Sequence, residues 1–314
     1  MTELPDLILA RDALRLGTDR ELRRRVADRT MVKVATGVFL PAIEWNPMTA
    51  DERYRTRVRA AALISSPSAQ FSHESAAAMW NLPSIGPWPA AVHELTEQTS
   101  GGRSRVGIVR HGLGLDGSPM TIDGVTVTSL ARTVVDVSCT TSFVRAVAMA
   151  DAALHAPQRG VPARTSKLEL QGLVETLVPY YGMGKATRVI NFANGESGSA
   201  GESFARVQFH ALGFPPPELQ VDFFDELGFI GCVDFFWREL GLIGEFDGKS
   251  KYGARRLYQK DLTSEQIVLI EKDREDRLRR VAKDFVRLDW PKVNNRRMLA
   301  SYLARHGLIE VRGR

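Results

Sequence analysis

Charged side chains interrupt two apolar runs in the last third of the chain. Asp234 lies within residues 229–237, and Glu245 and Asp247 lie within residues 242–247. Both runs alternate with the two-residue period of a β-strand, and together they predict a hairpin. Burying an unpaired carboxylate is costly, so carboxylates that converge on one site are best explained by a shared cation. Oxygen ligands alone favour Mg²⁺ or Mn²⁺, and we therefore expect Asp234, Glu245 and Asp247 to bind one of these ions.

Two further charged residues are part of the same predicted site. Lys249 follows the second strand, and a lysine beside several carboxylates is expected to stay protonated and to act by position and charge. Glu202 is in helical register with Ala205 and Phe209, so it faces the apolar side of a predicted helix. From there its carboxylate could reach the acids of the hairpin.

The composition is that of a globular protein with more than one domain. The chain has 314 residues, of which 44% are hydrophobic, so two or three domains are expected. It has two cysteines, Cys139 and Cys232, without Cys or His partners at zinc spacing, which favours a reducing cytoplasm over a disulfide framework. No secretion signal or membrane-spanning run is evident, so we expect a cytoplasmic protein with no membrane partner.

Charge is unevenly distributed along the sequence. Residues 201–270 carry 7 basic and 11 acidic side chains, whereas residues 271–314 carry 13 basic and 7 acidic ones. An acidic centre beside a basic surface suits a metal-dependent enzyme that acts on a polyanion. A solvated basic helix is an equally good interpretation of the charge alone.

The N-terminal 48 residues predict a small winged helix-turn-helix. A helical stretch ends at Gly17, a second helix follows from Thr18 or Asp19, and alternating valines flank Thr36-Gly37 as in a β-hairpin. We expect four basic residues to lie on or beside the second helix and the hairpin and to contact DNA: Arg20, Arg23, Arg24 and Lys33.

The middle region, residues 49–194, predicts a mixture of helices and strands but little chemistry. His73 and Glu74 could be catalytic, but no second metal-type ligand follows at i+4. A capping or buried hydrogen-bonding role for Ser72, His73 and Glu74 is therefore the favoured interpretation. Arg132 and Asp136, at i and i+4, predict a salt bridge within a helix.

Residues 195–201, small and polar, mark a boundary, and the elements beyond it are predicted in the order αβββαβ. The fold class is thus α+β or α/β multidomain. That order, with an acid on the first helix, Asp234 on the second strand, and Glu245 followed by Lys249, resembles the PD-(D/E)xK nuclease superfamily. The segments "PPELQVDFF", "CVDFFW" and "LIGEFDGKSKYG" are similar to very-short-patch-repair-type endonuclease domains of actinobacterial proteins.

The resemblance implies a restriction-endonuclease-like domain over residues 195–314. Asp234 and Glu245 would bind metal, Lys249 would orient the attacking water, and Glu202 and Gln220 would support the site. The superfamily usually has lysine two residues after the second acid, where this chain has Asp247. Either Lys249 has shifted along the strand, or Asp247-Gly248-Lys249 is itself the acid-x-lysine element.

Basic residues on the next predicted helix are further candidates for contact with the DNA substrate. Lys272, Arg274 and Arg277 could bind DNA phosphates, or could pair with acids such as Glu271, and both interpretations are open.

The first 190 residues resemble AbiEi-type antitoxins of type IV toxin–antitoxin systems, on the segments "RELRRRV", "VKVATGVFLP", "SHESAAAMWNLP" and "VTSLARTVVDVS". This resemblance implies operator DNA as a ligand, with a cognate toxin or a second copy of the chain as a partner. Two functions follow from the sequence. The first is a Mg²⁺-dependent endodeoxyribonuclease, and the second is a non-catalytic autorepressor or antitoxin with a degenerate nuclease fold. A third interpretation is that the acids form a purely structural ion-pair network with Lys249, Lys251 and Arg255.

Overall fold

The computed structural model describes residues 6–97, 104–156, 161–248 and 263–310. The chain divides into two compact units. The first comprises residues 1–149 and 164–192, and the second comprises residues 150–163 and 193–314.

The first unit opens with a small three-stranded sheet and short helices. Its elements are β1 (Ile8–Leu9), α1 (Ala10–Arg15), α2 (Asp19–Ala27), β2 (Met31–Ala35), β3 (Val38–Pro41) and α3 (Ala42–Trp45). The sheet is antiparallel in the order β1-β3-β2. Gly37, at φ 71°, forms the turn between β2 and β3, a backbone conformation that favours glycine. The predicted hairpin of this segment is confirmed.

A five-stranded sheet with helices forms the rest of the first unit. Its elements are α4 (Ala50–Ala62), β4 (Gln70–Phe71), α5 (His73–Met79), β5 (Val92–Leu95), β6 (Ile108–His111), β7 (Met120–Ile122), β8 (Val125–Val127), α6 (Leu130–Thr140), the first part of α7 (Phe143–Leu154), α8 (Lys167–Thr176) and α9 (Met183–Phe192). The strand order is β6-β5-β4-β8-β7, with β5 parallel to β6. Tyr54, Phe71 and Val127 pack together in its core.

The second unit has a mixed four-stranded sheet. Its elements are the last part of α7, then α10 (Ala200–Ala211), β9 (Glu218–Asp225), β10 (Gly228–Trp237), β11 (Leu242–Phe246), α11 (Ser264–Val281), β12 (Asp284–Leu288), α12 (Trp290–Asn294) and α13 (Arg296–Ala304). The order is β12-β11-β10-β9, antiparallel except for the β11–β12 pair.

Helices pack against both faces of this sheet. Phe209 of α10 makes edge-to-face contacts with Phe235 and Trp237, whereas Leu278 of α11 packs with Ile243. Since side chains alternate between faces along a strand, α10 and α11 cover opposite sides.

The expectation of a mixed α and β protein with more than one domain is confirmed, and so is the hairpin of β10 and β11, in which Phe235 pairs with Gly244. The predicted end of the second hairpin strand is wrong, because β11 ends at Phe246 and not at Asp247. The last strand, β12, ends at Leu288. Asp289 instead caps α12 by accepting a hydrogen bond from the Lys292 amide, and Pro291 suits the first turn of a helix.

The division between the compact units falls after Phe192, and residues 1–48 lie in the same unit as most of the middle region. The three-domain division therefore stays a prediction. Among the described residues, no helix is both long enough and apolar enough to cross a membrane.

Candidate functional site

Two of the predicted acids lie side by side in the central strands of the second unit. Asp234 on β10 and Glu245 on β11 are buried, with 8% and 7% of their surfaces exposed. The pairing of Phe235 with Gly244 places them on neighbouring positions of the antiparallel ladder. Asp234 Oδ2 accepts a hydrogen bond of 2.8 Å from the Phe246 amide, which fixes the end of β11 against β10.

Glu202 reaches the same end of the sheet from the first turn of α10. Its Oε2 accepts from the Gly198 amide at 2.8 Å and its Oε1 from Ser199 Oγ at 2.9 Å. Gln220 Nε2 lies 3.1 Å from Glu202 Oε2 and 3.5 Å from Asp234 Oδ1. Gln220 thus contacts both the helix acid and the strand acid.

Gln220 adopts a strained backbone conformation to make this connection. Its φ is 50°, within a strand whose neighbours Leu219 and Val221 pair normally with β10. A residue with a side chain in this left-handed region costs about 1–2 kcal/mol relative to its usual conformations. Strain of this kind often marks a site where side-chain placement matters more than stability.

Glu245 is paired with an arginine side chain of the protein. Arg274 of α11 donates from Nη1 to Glu245 Oε2 at 3.3 Å, from Nη2 to Glu245 Oε1, and from Nη2 to the Cys232 carbonyl oxygen at 3.0 Å. Burial opposes the charge of Arg274, but Glu245 and Glu271 outweigh it and raise the pKa of the guanidinium. Glu245 is therefore one member of a buried ion pair.

Asp247 is paired with a second arginine of the protein. Its carboxylate accepts two hydrogen bonds from Arg287 of β12, at 2.8 and 3.0 Å, and Arg287 also bonds Glu275. The Asp247 amide donates to the Leu288 carbonyl oxygen just beyond the end of β11. Lys249, the predicted catalytic lysine, lies outside the described residues, so neither acid-x-lysine register is decided.

The carboxylates are not arranged as a set of free ligands for Mg²⁺ or Mn²⁺. Each carboxylate accepts hydrogen bonds from the protein, and Glu245 already has a cation as its partner. Within the described ranges, the one group of three or more possible metal ligands whose donor atoms lie within 4.8 Å of one another consists of histidines. The prediction of a cation shared by Asp234, Glu245 and Asp247 does not fit this arrangement, because arginines neutralise two of the three.

The predicted DNA contacts of the first unit are exposed. Arg20, Arg23 and Arg24 lie on α2, which has no buried residue, and Lys33 lies on β2. Arg23 pairs with Asp19 at 2.9 Å, with 78% of its side chain exposed. Such an exposed pair is worth less than about 1 kcal/mol and is easily exchanged for a phosphate.

The basic residues of α11 were predicted either to bind DNA phosphates or to pair with acids of the protein. Arg274 pairs with Glu245 and Glu271, and Arg277 pairs with Asp225 at 2.6 Å, so both have acids of the protein as partners. Lys272 is exposed. For Arg274 and Arg277, ion pairing is the interpretation that the contacts favour.

Sequence reasoning missed a cluster of three histidines in the first unit. His73 opens α5, His93 lies on β5 and His111 ends β6. The pairing of β5 with β4 and β6 brings them together, although they are 20 and 18 residues apart in the sequence. That spacing matches no metal-binding motif, so the sequence carried no local signal for the cluster.

No protein-family model matches the chain. Two curated relatives from Mycobacterium tuberculosis are 32% identical over 126 residues: the uncharacterized protein MT2308 of strain CDC 1551 / Oshkosh and the uncharacterized protein Rv2248 of strain H37Rv. The match covers 40% of this chain and 44% of each relative. The chain thus spans less than half the length of these relatives.

Proposed function

We propose that the chain is a DNA-binding regulator that contacts duplex DNA through α2 and the β2–β3 hairpin. The observation that carries the proposal is the exposure of Arg20, Arg23 and Arg24 on one short helix whose side chains are all at least partly accessible. A helix beside a hairpin is the arrangement in which winged helix-turn-helix proteins place one element in the major groove and the other along the backbone.

Electrostatics supports duplex DNA as the ligand. The chain carries a net charge of +5, and each arginine that replaces a condensed counterion adds affinity that decreases with salt. Electrostatic contacts of this kind are independent of sequence, so base contacts by α2 would have to supply any operator preference. An operator with two-fold symmetry would bind two copies of the chain.

An electrophoretic mobility shift assay tests the proposal. Labelled duplex from the region upstream of the chain's own coding sequence is compared with random duplex at constant salt. We expect binding to both, with preference for the upstream duplex. Absence of a shifted complex with either duplex at micromolar protein would refute DNA binding. Light scattering of the complex would report a second copy, and co-purification would report a cognate toxin.

Phosphodiester hydrolysis is the second candidate function, and the meeting of Glu202, Gln220 and Asp234 at one end of the sheet favours it. Glu245 would join Asp234 in binding Mg²⁺ or Mn²⁺ only after it separates from Arg274. The test is cleavage of supercoiled and linear DNA with Mg²⁺, Mn²⁺ or EDTA. Nicking that requires metal and is lost in Asp234→Ala and Glu245→Ala would support hydrolysis, and intact DNA with all substrates would support the regulator.

A further inference from the structure

His73, His93 and His111 form a compact group in the first unit. The His73 and His111 rings stack with centroids 3.8 Å apart, and His93 Nδ1 lies 2.9 Å from His111 Nε2. One nitrogen of each ring lies within 4.8 Å of the others. His93 and His111 lie on the five-stranded sheet and His73 on α5, all within the first unit, whereas the acids described above belong to the second unit.

One histidine nitrogen of the cluster, Nε2 of His73, has no hydrogen-bond partner among the described residues. His73 is fully buried, and its Nδ1 lies 2.9 Å from Ser72 Oγ. When Nδ1 donates its proton to that oxygen, Nε2 carries a lone pair. Within the described part of the chain, Nε2 of His73 is a buried polar atom without a hydrogen-bond partner. Leaving such an atom unpaired costs about 1–3 kcal/mol.

The backbone at His73 is strained as well. Its φ is 51°, in the left-handed region, while the Ser72 amide donates to the His93 carbonyl oxygen at 3.0 Å. The strand pairing and the turn together hold the imidazole in the interior of the cluster. A strained backbone and an unpaired buried nitrogen in one residue are poorly explained by packing alone.

We propose that His73, His93 and His111 bind one transition-metal ion of the Zn²⁺ class, and that the ion replaces the hydrogen bond between His93 Nδ1 and His111 Nε2. Three neutral imidazoles are a donor set typical of Zn²⁺, with a fourth position left for water or another ligand. A hydrogen bond donated by His73 Nδ1 to Ser72 Oγ would be the kind of supporting contact that fixes the tautomer of a metal-bound histidine. The hard ions Mg²⁺ and Ca²⁺ are excluded as preferred ligands because they select oxygen donors.

The experiment uses the full chain without a polyhistidine tag, stripped with EDTA and titrated with Co²⁺ and then Zn²⁺. We expect one equivalent of Co²⁺ to produce visible ligand-field absorption bands, and Zn²⁺ to displace it. His111→Gln and His93→Gln should each weaken binding more than about 100-fold, and Ser72→Ala about 10- to 100-fold.

His210→Gln is the matched control, because His210 is an exposed histidine of the second unit. It should bind the metal as the parent does. Circular dichroism establishes that each variant is folded, and the partly exposed His111 is the safest of the three to replace. The proposal is overturned if the parent protein binds no more Co²⁺ or Zn²⁺ than the folded His111→Gln variant does.

Discussion

The guanidinium of Arg274 donates to both carboxylate oxygens of Glu245 and to the main-chain oxygen of Cys232. This contact joins α11 to the two central strands of the second unit. It also supplies the positive charge that the sequence pattern had attributed to a metal ion.

Replacing Arg274 should destabilise the second unit. In Arg274→Met the buried Glu245 loses its cation, and removing one partner of a buried ion pair typically costs about 3–5 kcal/mol. Adding Glu245→Gln should recover part of that loss, because no buried charge then remains. Urea unfolding measures the free energies of unfolding.

The control is Arg280→Met, at an exposed position of the same helix, which should change stability by less than about 0.5 kcal/mol. Equal effects at positions 274 and 280 would contradict a stabilising ion pair.

The strain at Gln220 predicts an unusual order of stability between two small substitutions. Gln220→Ala and Gln220→Gly both lose the hydrogen bonds to Glu202 and Asp234, but only glycine adopts φ 50° without steric cost. The glycine variant should be more stable than the alanine variant by about 1 kcal/mol. Thermal unfolding of the pair measures the difference, and a more stable alanine variant would show that the strand relaxes.

Gly201 permits the close approach of α10 to β11. A Cβ atom at this position would overlap the ring of Phe246, so Gly201→Ala should destabilise the protein by about 1–3 kcal/mol. Gly172 lies in α8 with open space around its Cα, so Gly172→Ala should instead be neutral or stabilise by up to about 1 kcal/mol. Chemical unfolding of the two variants makes the comparison, and an unaffected Gly201→Ala protein would mean that Phe246 can move.

The buried histidines predict acid sensitivity of the metal-free protein. Burial lowers the pKa of His93 and His111 to about 4 in the folded protein, whereas the usual pKa of histidine is near 6.5. Between these two pH values, protons therefore bind mainly to the unfolded chain. The neutral histidines contribute fully to stability above this pH range, and the contribution is lost as the pH falls through it. Each histidine adds a slope of up to about 1.4 kcal/mol per pH unit. In His93→Gln the slope should decrease, whereas His210→Gln should retain it. Equal slopes in both variants would argue against neutral buried imidazoles.

Local pattern was sufficient to predict the two hairpin strands and the first long helix of the second unit. The alternation around Asp234 and Glu245 defined β10 and β11, and the register of Glu202 with Phe209 placed that acid on the buried side of α10. These features depend on periods of two and 3.6 residues, which can be read within one element.

Long-range geometry was not predictable in the same way. Arg274 lies 29 residues from Glu245 in the sequence, and the left-handed backbone of Gln220 has no sequence signal, because glutamine does not favour it. The histidine cluster depends on the parallel pairing of β5 with β6, which no local period encodes. Asp247 was assigned to the metal because it follows Glu245 by two residues, but β11 ends at Phe246 and Arg287 is available on β12.

The salt dependence of DNA binding tests the proposed function most directly. Fluorescence anisotropy with a duplex oligonucleotide is measured from low to high salt for the parent chain and for the triple variant Arg20→Ala, Arg23→Ala, Arg24→Ala. A charge-matched control replaces three arginines that are exposed elsewhere: Arg188, Arg238 and Arg297.

We expect the triple variant to bind more weakly and to lose about one unit of the slope of log K against log salt for each phosphate contact removed, up to about three. The control should retain affinity and slope. Equal affinities and slopes in the triple variant and the parent chain would contradict DNA recognition by α2.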